Sequence, residues 1–274
     1  MNRSRVDFFD KHYANFAEQL LVTIREETFG KDIGQNSWVT ADEYEDFMRF
    51  LALGRGSHAL EVASGSGGPA VHLARCTGCR VTGIDANPNG VAIAVQSATR
   101  AGLGQRLNFQ VTDATRPLPF GEGTFDALLC IDSMNHFPKR GDSLMEWHRV
   151  LKPGGRAVFT DPVLITGPVT NDELAQRSSI GLFVFVPRGH NEELIVKAGF
   201  KLVSQLDLTE NAALVSRRWR DARARFRNDL LRMEGEAQFD GVQNFLGAVH
   251  RLTAERRLSR LAYLVEKPDV PARN

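Results

Sequence analysis

A chain of 274 residues, 42% hydrophobic and 24% charged, is long enough to bury one large core and too evenly composed to be disordered. Its 34 Lys and Arg against 33 Asp and Glu leave a formal charge of +1, which gives no field to draw it onto nucleic acid or an anionic membrane and favours a small ligand. Three cysteines are too few for a disulfide framework, the first ten residues are too polar for a signal peptide, and no run approaches the ~20 apolar residues of a membrane span. A cytoplasmic monomer or homodimer is expected, without membrane or nucleic-acid partners.

In chain order, residues 1–53 read as an N-terminal helical segment. Thr40-Ala41-Asp42-Glu43 forms a capping box before Tyr44, Phe47, Phe50 and Leu51. Ahead of it lie His12-Tyr13 and Gly34-Gln35-Asn36-Ser37-Trp38. Residues 54–274 read as the core, in which short β-rich runs alternate with helical ones, the signature of a parallel sheet covered by helices. Strands are expected at 58–63, 80–85, 107–112, 125–131 and 156–160. Helices fall at 69–75, 88–101 and 142–151, the last stopped by Lys152-Pro153-Gly154-Gly155. Cys76 and Cys79 form a CxxC at a helix end, but no second pair stands at zinc spacing, and no metal is expected.

Beyond 160, residues 164–190 read as a loop region, 192–198 as helix, 201–208 as strand and 261–265 as a last strand. An insertion at about 210–259 places Val215, Trp219, Ala222, Phe226 and Leu230 at helical spacing. The N-terminal segment and the insertion are expected to pack together as a lid. No internal repeat is apparent, and residues 1–5 and 268–274 look frayed.

Chemistry concentrates first at Leu60-Glu61-Val62-Ala63-Ser64-Gly65-Ser66-Gly67-Gly68, an apolar strand running into a glycine-rich turn that opens a helix. Glycines there let a ligand approach the backbone. The pattern Gly65-x-Gly67-x-x-Ala70, with Asp85 twenty residues on, also satisfies a dinucleotide fingerprint. Glu61 argues otherwise. A pyrophosphate calls for bare N–H groups, beside which a carboxylate repels, whereas a cationic ammonium and sugar hydroxyls call for acceptors.

Glu61, the glycine turn, Asp85, Asp113 within Val111-Thr112-Asp113-Ala114, and Leu151-Lys152-Pro153-Gly154-Gly155 together resemble the class I S-adenosylmethionine-dependent methyltransferases of the small-molecule branch, over about 60–161 plus the final strand. The resemblance implies a Rossmann-like α/β fold with a seven-stranded sheet, helices on both faces and an antiparallel last strand. It implies S-adenosylmethionine as cofactor, with S-adenosylhomocysteine as product. Glu61 would hold the methionine amino group, Ala63, Gly65 and Gly67 would form the turn, Asp85 with Ala86 would take the ribose hydroxyls, and Asp113 with Ala114 would read the adenine. Ala63 departs from the family, which often has glycine there. Tyr13 and Trp38 would wall the sulfonium or else serve as packed aromatics.

After the fourth strand, Asp132 and His136 stand four apart in Cys130-Ile131-Asp132-Ser133-Met134-Asn135-His136-Phe137. On one face of a helical turn, the carboxylate would orient the imidazole as a general base. The spacing is similar to that of phosphoethanolamine methyltransferases, where such a pair forms a catalytic dyad, which implies catalytic roles for Asp132 and His136. A purely structural His136 stays open. Asp161, at the end of the fifth strand, either faces the substrate or caps a turn, and Phe183, Phe185 and Val186 either wall a pocket or belong to the core. The basic run around Arg217–Arg227 and the arginines Arg251, Arg256, Arg257 and Arg260 are either solvated or grip one substrate anion.

The function expected is methyl transfer to N, O or C of a small molecule, a specialised metabolite of natural-product biosynthesis or an amine, with nitrogen slightly favoured by the dyad. Alternatives are a nicotinamide-nucleotide oxidoreductase, for which a Tyr-x-x-x-Lys base pattern is missing, an RNA methyltransferase, and a cofactor-binding scaffold without activity.

Overall fold

A computed structural model describes Phe9, Tyr13 and residues 15–269. His12, residues 1–5 and residues 270–274 of the expected fraying lie outside the described residues.

Apolar runs too short for helices pair where the sequence places them. Strands β1 (His58–Val62), β2 (Arg80–Asp85), β3 (Leu107–Val111) and β4 (Phe125–Cys130) alternate with helices α3 (Gly68–Thr77) and α4 (Pro88–Arg100), which follow α1 (Gln19–Phe29) and α2 (Ala41–Leu51). Helix α5 (Arg140–Val150) leads into β5 (Leu151–Ile165), followed by α6 (Asn171–Arg177), β6 (Val186–Pro187), α7 (His190–Lys197) and β7 (Lys201–Asp207). Three helices, α8 (Thr209–Arg225), α9 (Arg227–Glu234) and α10 (Glu236–Ala254), precede β8 (Leu258–Glu266).

The sheet order is β3-β2-β1-β4-β5-β8-β7, and β6 pairs beside β5. Strands β1 to β5 run parallel, whereas β8 is antiparallel to both β5 and β7. Seven strands thus follow the expected path, and the two-residue β6, paired at Leu164 and Ile165, is the addition. Both faces are covered. Leu128 and Cys130 of β4 face one apolar cluster with Trp147 and Ile195, while Ala127 and Leu129 face the other with Phe47 and Leu73. Each fully buried leucine or aromatic contributes about 1.5–3 kcal/mol to holding the layers.

Strand β5 starts five residues earlier than the sequence suggests, because the Lys152-Pro153-Gly154-Gly155 stop is itself paired. Gly154 N–H donates to the Lys267 carbonyl at 2.9 Å, and Lys267 N–H donates to the Gly155 carbonyl at 2.8 Å. The 164–190 region is not all loop. Thr170 and Glu173 form a reciprocal capping box that starts α6.

A third apolar cluster joins the N-terminal segment to the insertion. Leu21, Ile24, Phe29 and Trp38 pack with Val215, Trp219, Phe245 and Val249. This layer stands over the carboxyl ends of β1 and β4, where the strand order reverses and open α/β sheets bind ligands.

Candidate active site

The cavity at that reversal encloses about 350 Å³. Its floor is the glycine turn, of which Ala63, Ser64, Gly65 and Ser66 line it, while a Cβ on Gly67 would meet Ala94 and Phe109 of the core instead. Ala63, Gly65 and Gly67 all adopt left-handed backbone, with φ of 57°, 52° and 72°. Ala63 therefore sits where glycine is the unstrained residue, a strain of about 1–2 kcal/mol. A Cβ on Gly65 would stand 2.7 Å from the Tyr13 hydroxyl, so Tyr13 lies directly on the turn. The backbone of Gly34 and Gly68 meets just as closely, which docks the N-terminal segment onto the start of α3.

Carboxylates line this floor. Asp85, at the end of β2, accepts from Gly65 N–H and Asn87 N–H, both at 2.8 Å. Burial raises its pKa against the lowering by those two donors. Glu61, at the end of β1, is 4% exposed and its Oε2 has no hydrogen-bond partner among the described residues. Desolvation, then the Asp85 charge, pushes its carboxyl up to about 8. A buried acceptor without a donor is costly, and a ligand ammonium would satisfy it. The chemistry of the floor therefore fits S-adenosylmethionine. Asp113 and Ala114 line the far end together with Ala86. The exposed Asp113 carboxylate accepts from the Thr115 hydroxyl and N–H at 2.6 and 3.0 Å and from Arg116, and the Thr115 bonds first, then Arg116, hold its pKa down.

The expected Asp132–His136 pair is not made. Asp132 has φ of 52° rather than starting a helical turn. Its Oδ1 accepts from Arg260 Nε at 2.7 Å and from the Thr160 hydroxyl at 2.8 Å, and its Oδ2 accepts from Trp38 N–H at 2.8 Å. Arg260 also pairs with Glu43, and Asn211 donates to Glu43 as well. Thr40 still caps α2, but the Glu43 side chain serves this buried network instead of closing the capping box.

His136 instead directs Nδ1 to the Leu182 carbonyl at 2.8 Å. That acceptor fixes the tautomer with hydrogen on Nδ1, so Nε2 carries the lone pair. No described residue bonds Nε2. Burial lowers the His136 pKa, opposed by the Leu182 hydrogen bond, and a neutral imidazole flanked by Phe9 and Phe183 lines the cavity. Such a group can accept a proton.

Asp161 does not face the cavity. It is wholly buried and pairs with Arg140, while Asn191 Nδ2 donates to it at 2.8 Å. Arg140 also donates to the Val184 carbonyl at 2.6 Å, so this group ties α5 and α7 to the segment after α6. Of the three apolar residues there, Phe183 lines the cavity, Phe185 stacks on it at 6.5 Å, and Val186 belongs to the core.

Trp38 lines the roof with Trp219 and Phe245, their ring centroids 6.0 and 6.2 Å from its own. Sequence reasoning missed the residue they surround. Arg177, the last residue of α6, is 1% exposed and lines the cavity, and its Nε and Nη1 have no hydrogen-bond partner among the described residues. Desolvation pushes its pKa down to about 9, opposed by the Asp132 and Asp161 charges. The ring centroids of Phe183, Phe245 and Trp38 lie 4.8, 5.1 and 5.9 Å from its Cζ. Of the other singled-out arginines, Arg220 pairs with Asp221, Arg223 with Glu234, Arg225 with Glu27, Arg256 with Asp207, and Arg251 and Arg257 with Glu173, whereas Arg217 and Arg218 are exposed.

Cys76 and Cys79 are free thiols, and no cluster of metal-ligating side chains occurs among the described residues. No helix among them is long and apolar enough to cross a membrane.

A family model described as a methyltransferase domain matches residues 60–159. The chain is similar to the methyltransferase GfsG of Streptomyces halstedii, 33% identical over 172 residues that make up 61% of this chain and 60% of that protein. It is also similar to the O-methyltransferase rstn1 of Aspergillus nomiae, 30% identical over 164 residues, 58% of this chain and 71% of that protein. The match with GfsG thus spans about three fifths of that protein's length. Among solved structures, the fold matches phosphoethanolamine N-methyltransferase 2 of Haemonchus contortus, bound to phosphomonomethylethanolamine and S-adenosylhomocysteine. There the TM-score is 0.80 at 20% identity, covering 96% of this chain and 61% of the other.

Proposed function

Because the chain belongs to the class I S-adenosylmethionine-dependent methyltransferases, we propose that it methylates a hydroxyl oxygen of a small natural-product acceptor held under the roof of Trp38, Phe183 and Phe245. The dinucleotide reading of the glycine turn falls with that membership.

Glu61 accepts from the cofactor's amino group, Ala63, Gly65 and Gly67 let the backbone approach it, Asp85 with Ala86 takes the ribose hydroxyls, and Asp113 with Ala114 meets the adenine. Bound S-adenosylmethionine supplies the electrophilic methyl group and leaves as S-adenosylhomocysteine.

The observation that carries the choice of oxygen is the His136 tautomer. With Nδ1–H held on the Leu182 carbonyl, Nε2 takes the hydroxyl proton as the oxygen attacks. A neutral hydroxyl is a weak nucleophile until a base takes its proton, whereas an unprotonated amine nitrogen attacks without one. Support for nitrogen rests on an Asp132–His136 dyad, and with Asp132 bonded by Arg260 instead that support is weaker than the support for oxygen. Tyr13 and Trp38 close the site and exclude water, and positioning of acceptor and methyl supplies much of the rate.

The test follows S-adenosylhomocysteine formation with panels of phenols, aliphatic alcohols and amines, together with calorimetric titration of S-adenosylhomocysteine. Turnover of hydroxylated acceptors, loss of that turnover in His136→Gln at unchanged cofactor affinity, and weakened affinity in Asp85→Ala are expected. Turnover confined to amines, or undiminished in His136→Gln, overturns the reading.

A further inference from the structure

The least satisfied charge in the described molecule is Arg177. It is 1% exposed, yet neither Asp132 nor Asp161, the nearest carboxylates in its electrostatic surroundings, bonds to it, since Arg260 and Arg140 hold them. Aromatic faces surround it at 4.8 to 5.9 Å. Cation–π contacts offset part of the desolvation of an ion, but they do not replace a counter-charge.

Its placement is braced. The capping box of Thr170 and Glu173 starts α6, and Arg257 Nη2 meets Glu173 at 2.8 Å, pinning the helix that ends at Arg177 to the turn before β8. A side chain whose only role was packing would need no such rigid support for an unpaired charge. Rigid support is what a binding group requires.

Resting on the methyltransferase reading, we propose that Arg177 is the specificity residue for the acceptor and binds a carboxylate that the substrate carries on a flat, apolar body. The aromatic box takes the body and the guanidinium takes the anion. One cation close to two carboxylates suits a monoanion. A phosphate dianion would bring a second negative charge with nothing in the box to meet it, because the described cations on those two carboxylates, Arg260 and Arg140, are already held by Asp132 with Glu43 and by Asp161. His136, whose ring is 4.9 Å from Phe183, borders the same space, so a hydroxyl on the anchored body falls within the reach of the base.

The experiment uses the full chain saturated with S-adenosylhomocysteine and compares 2-naphthoate, its neutral isostere 2-naphthamide and 2-naphthyl phosphate by calorimetry, in wild type and Arg177→Met. Wild type is expected to bind naphthoate roughly ten- to hundredfold more tightly than the amide, the effect of one charge-assisted pair. Arg177→Met should erase that preference, leave S-adenosylhomocysteine affinity within about threefold, and raise Tm, since an unpaired buried ion is replaced by an apolar chain. Equal binding of naphthoate and naphthamide by wild type, including no binding of either, overturns the proposal, and this comparison stands even if the variant fails to fold. Preference for the phosphate overturns the carboxylate assignment. An equal loss of S-adenosylhomocysteine affinity in Arg177→Met means that the anion is the cofactor's own carboxylate, and also overturns it. Wild type that binds no S-adenosylhomocysteine sinks the cofactor assignment instead.

Discussion

Arg260, fully buried on β8, donates from Nε to the Asp132 carboxylate at 2.7 Å, joining the last strand to the segment after β4 across 128 residues of sequence. Through Glu43 and the Trp38 N–H, the same network reaches the N-terminal segment. Asp132 is therefore a positioning residue that fixes the roof over the site. Removing Asp132 would leave Arg260 paired with Glu43 alone and strand the buried Arg260 Nε and Trp38 N–H, a loss of about 1–3 kcal/mol for each stranded donor. Asp132→Ala is expected to lower Tm by several degrees and to impair cofactor binding and turnover together. Its pH–rate profile should keep the acid limb of the wild type, because the base is elsewhere. A variant of normal Tm whose acid limb vanishes would restore Asp132 to the chemistry.

Glu61 supplies a pH signature. Its folded pKa, about 8, stands above the ordinary 4.5. Between those values the cofactor-free folded state keeps a proton that the unfolded chain has lost, so stability falls as pH rises through the window. Glu61→Gln should raise the Tm of the cofactor-free protein more at pH 8 than at pH 5. In wild type, an incoming ammonium favours the carboxylate, so binding S-adenosylhomocysteine near pH 7 should release a proton. Calorimetry in buffers of different ionisation enthalpy reads this directly, and identical apparent enthalpies would refute it.

His136 has the opposite bias. Burial holds its imidazole below the ordinary 6.5, with Arg177 also lowering it and Asp161 opposing. The rate should accordingly stay flat as pH falls to 6.5 and decline only below it, while His136→Gln loses most of the rate and flattens that limb. A limb at or above 6.5 in wild type would mean that the ring is charged in the working enzyme.

Much of the frame was legible because it rests on local pattern. The strand at 80–85 and the helix from Pro88 follow from apolar runs, a proline start and a glycine stop, all read within one segment. The carboxylates at Glu61 and Asp85 were legible for a similar reason, since each stands at the carboxyl end of one of two neighbouring parallel strands that flank the glycine-rich turn. Long-range pairing was not. Asp132 and His136 are four apart, yet the carboxylate prefers an arginine 128 residues away, and Asp161 prefers Arg140. No periodicity reports such choices. Arg177 was missed for a different reason: Thr170-Asn171-Asp172-Glu173 is a capping box in plain sight, and reading 164–190 as loop hid the helix that carries the arginine inward.

The contact between Gly34 and Gly68 offers a test of how the N-terminal segment governs the site. A Cβ on Gly68 would fall 2.4 Å from the carbonyl oxygens of Ile33 and Gly34. Both obstacles are backbone, so neither yields by a rotamer change, and the segment bearing Asn36 and Trp38 has to lift off the glycine turn. Since Ser66 also donates to the Gly34 carbonyl at 3.2 Å, the displacement reaches the turn itself. Gly68→Ala should weaken S-adenosylhomocysteine binding at least tenfold, a change of about 1.4 kcal/mol or more, with a fall in Tm of a few degrees. Gly104→Ala, where a Cβ meets nothing within 4 Å, controls for the added methyl and should change neither. Equal affinities for the two variants would show that the segment closes over the cofactor without its backbone having to lie on the turn.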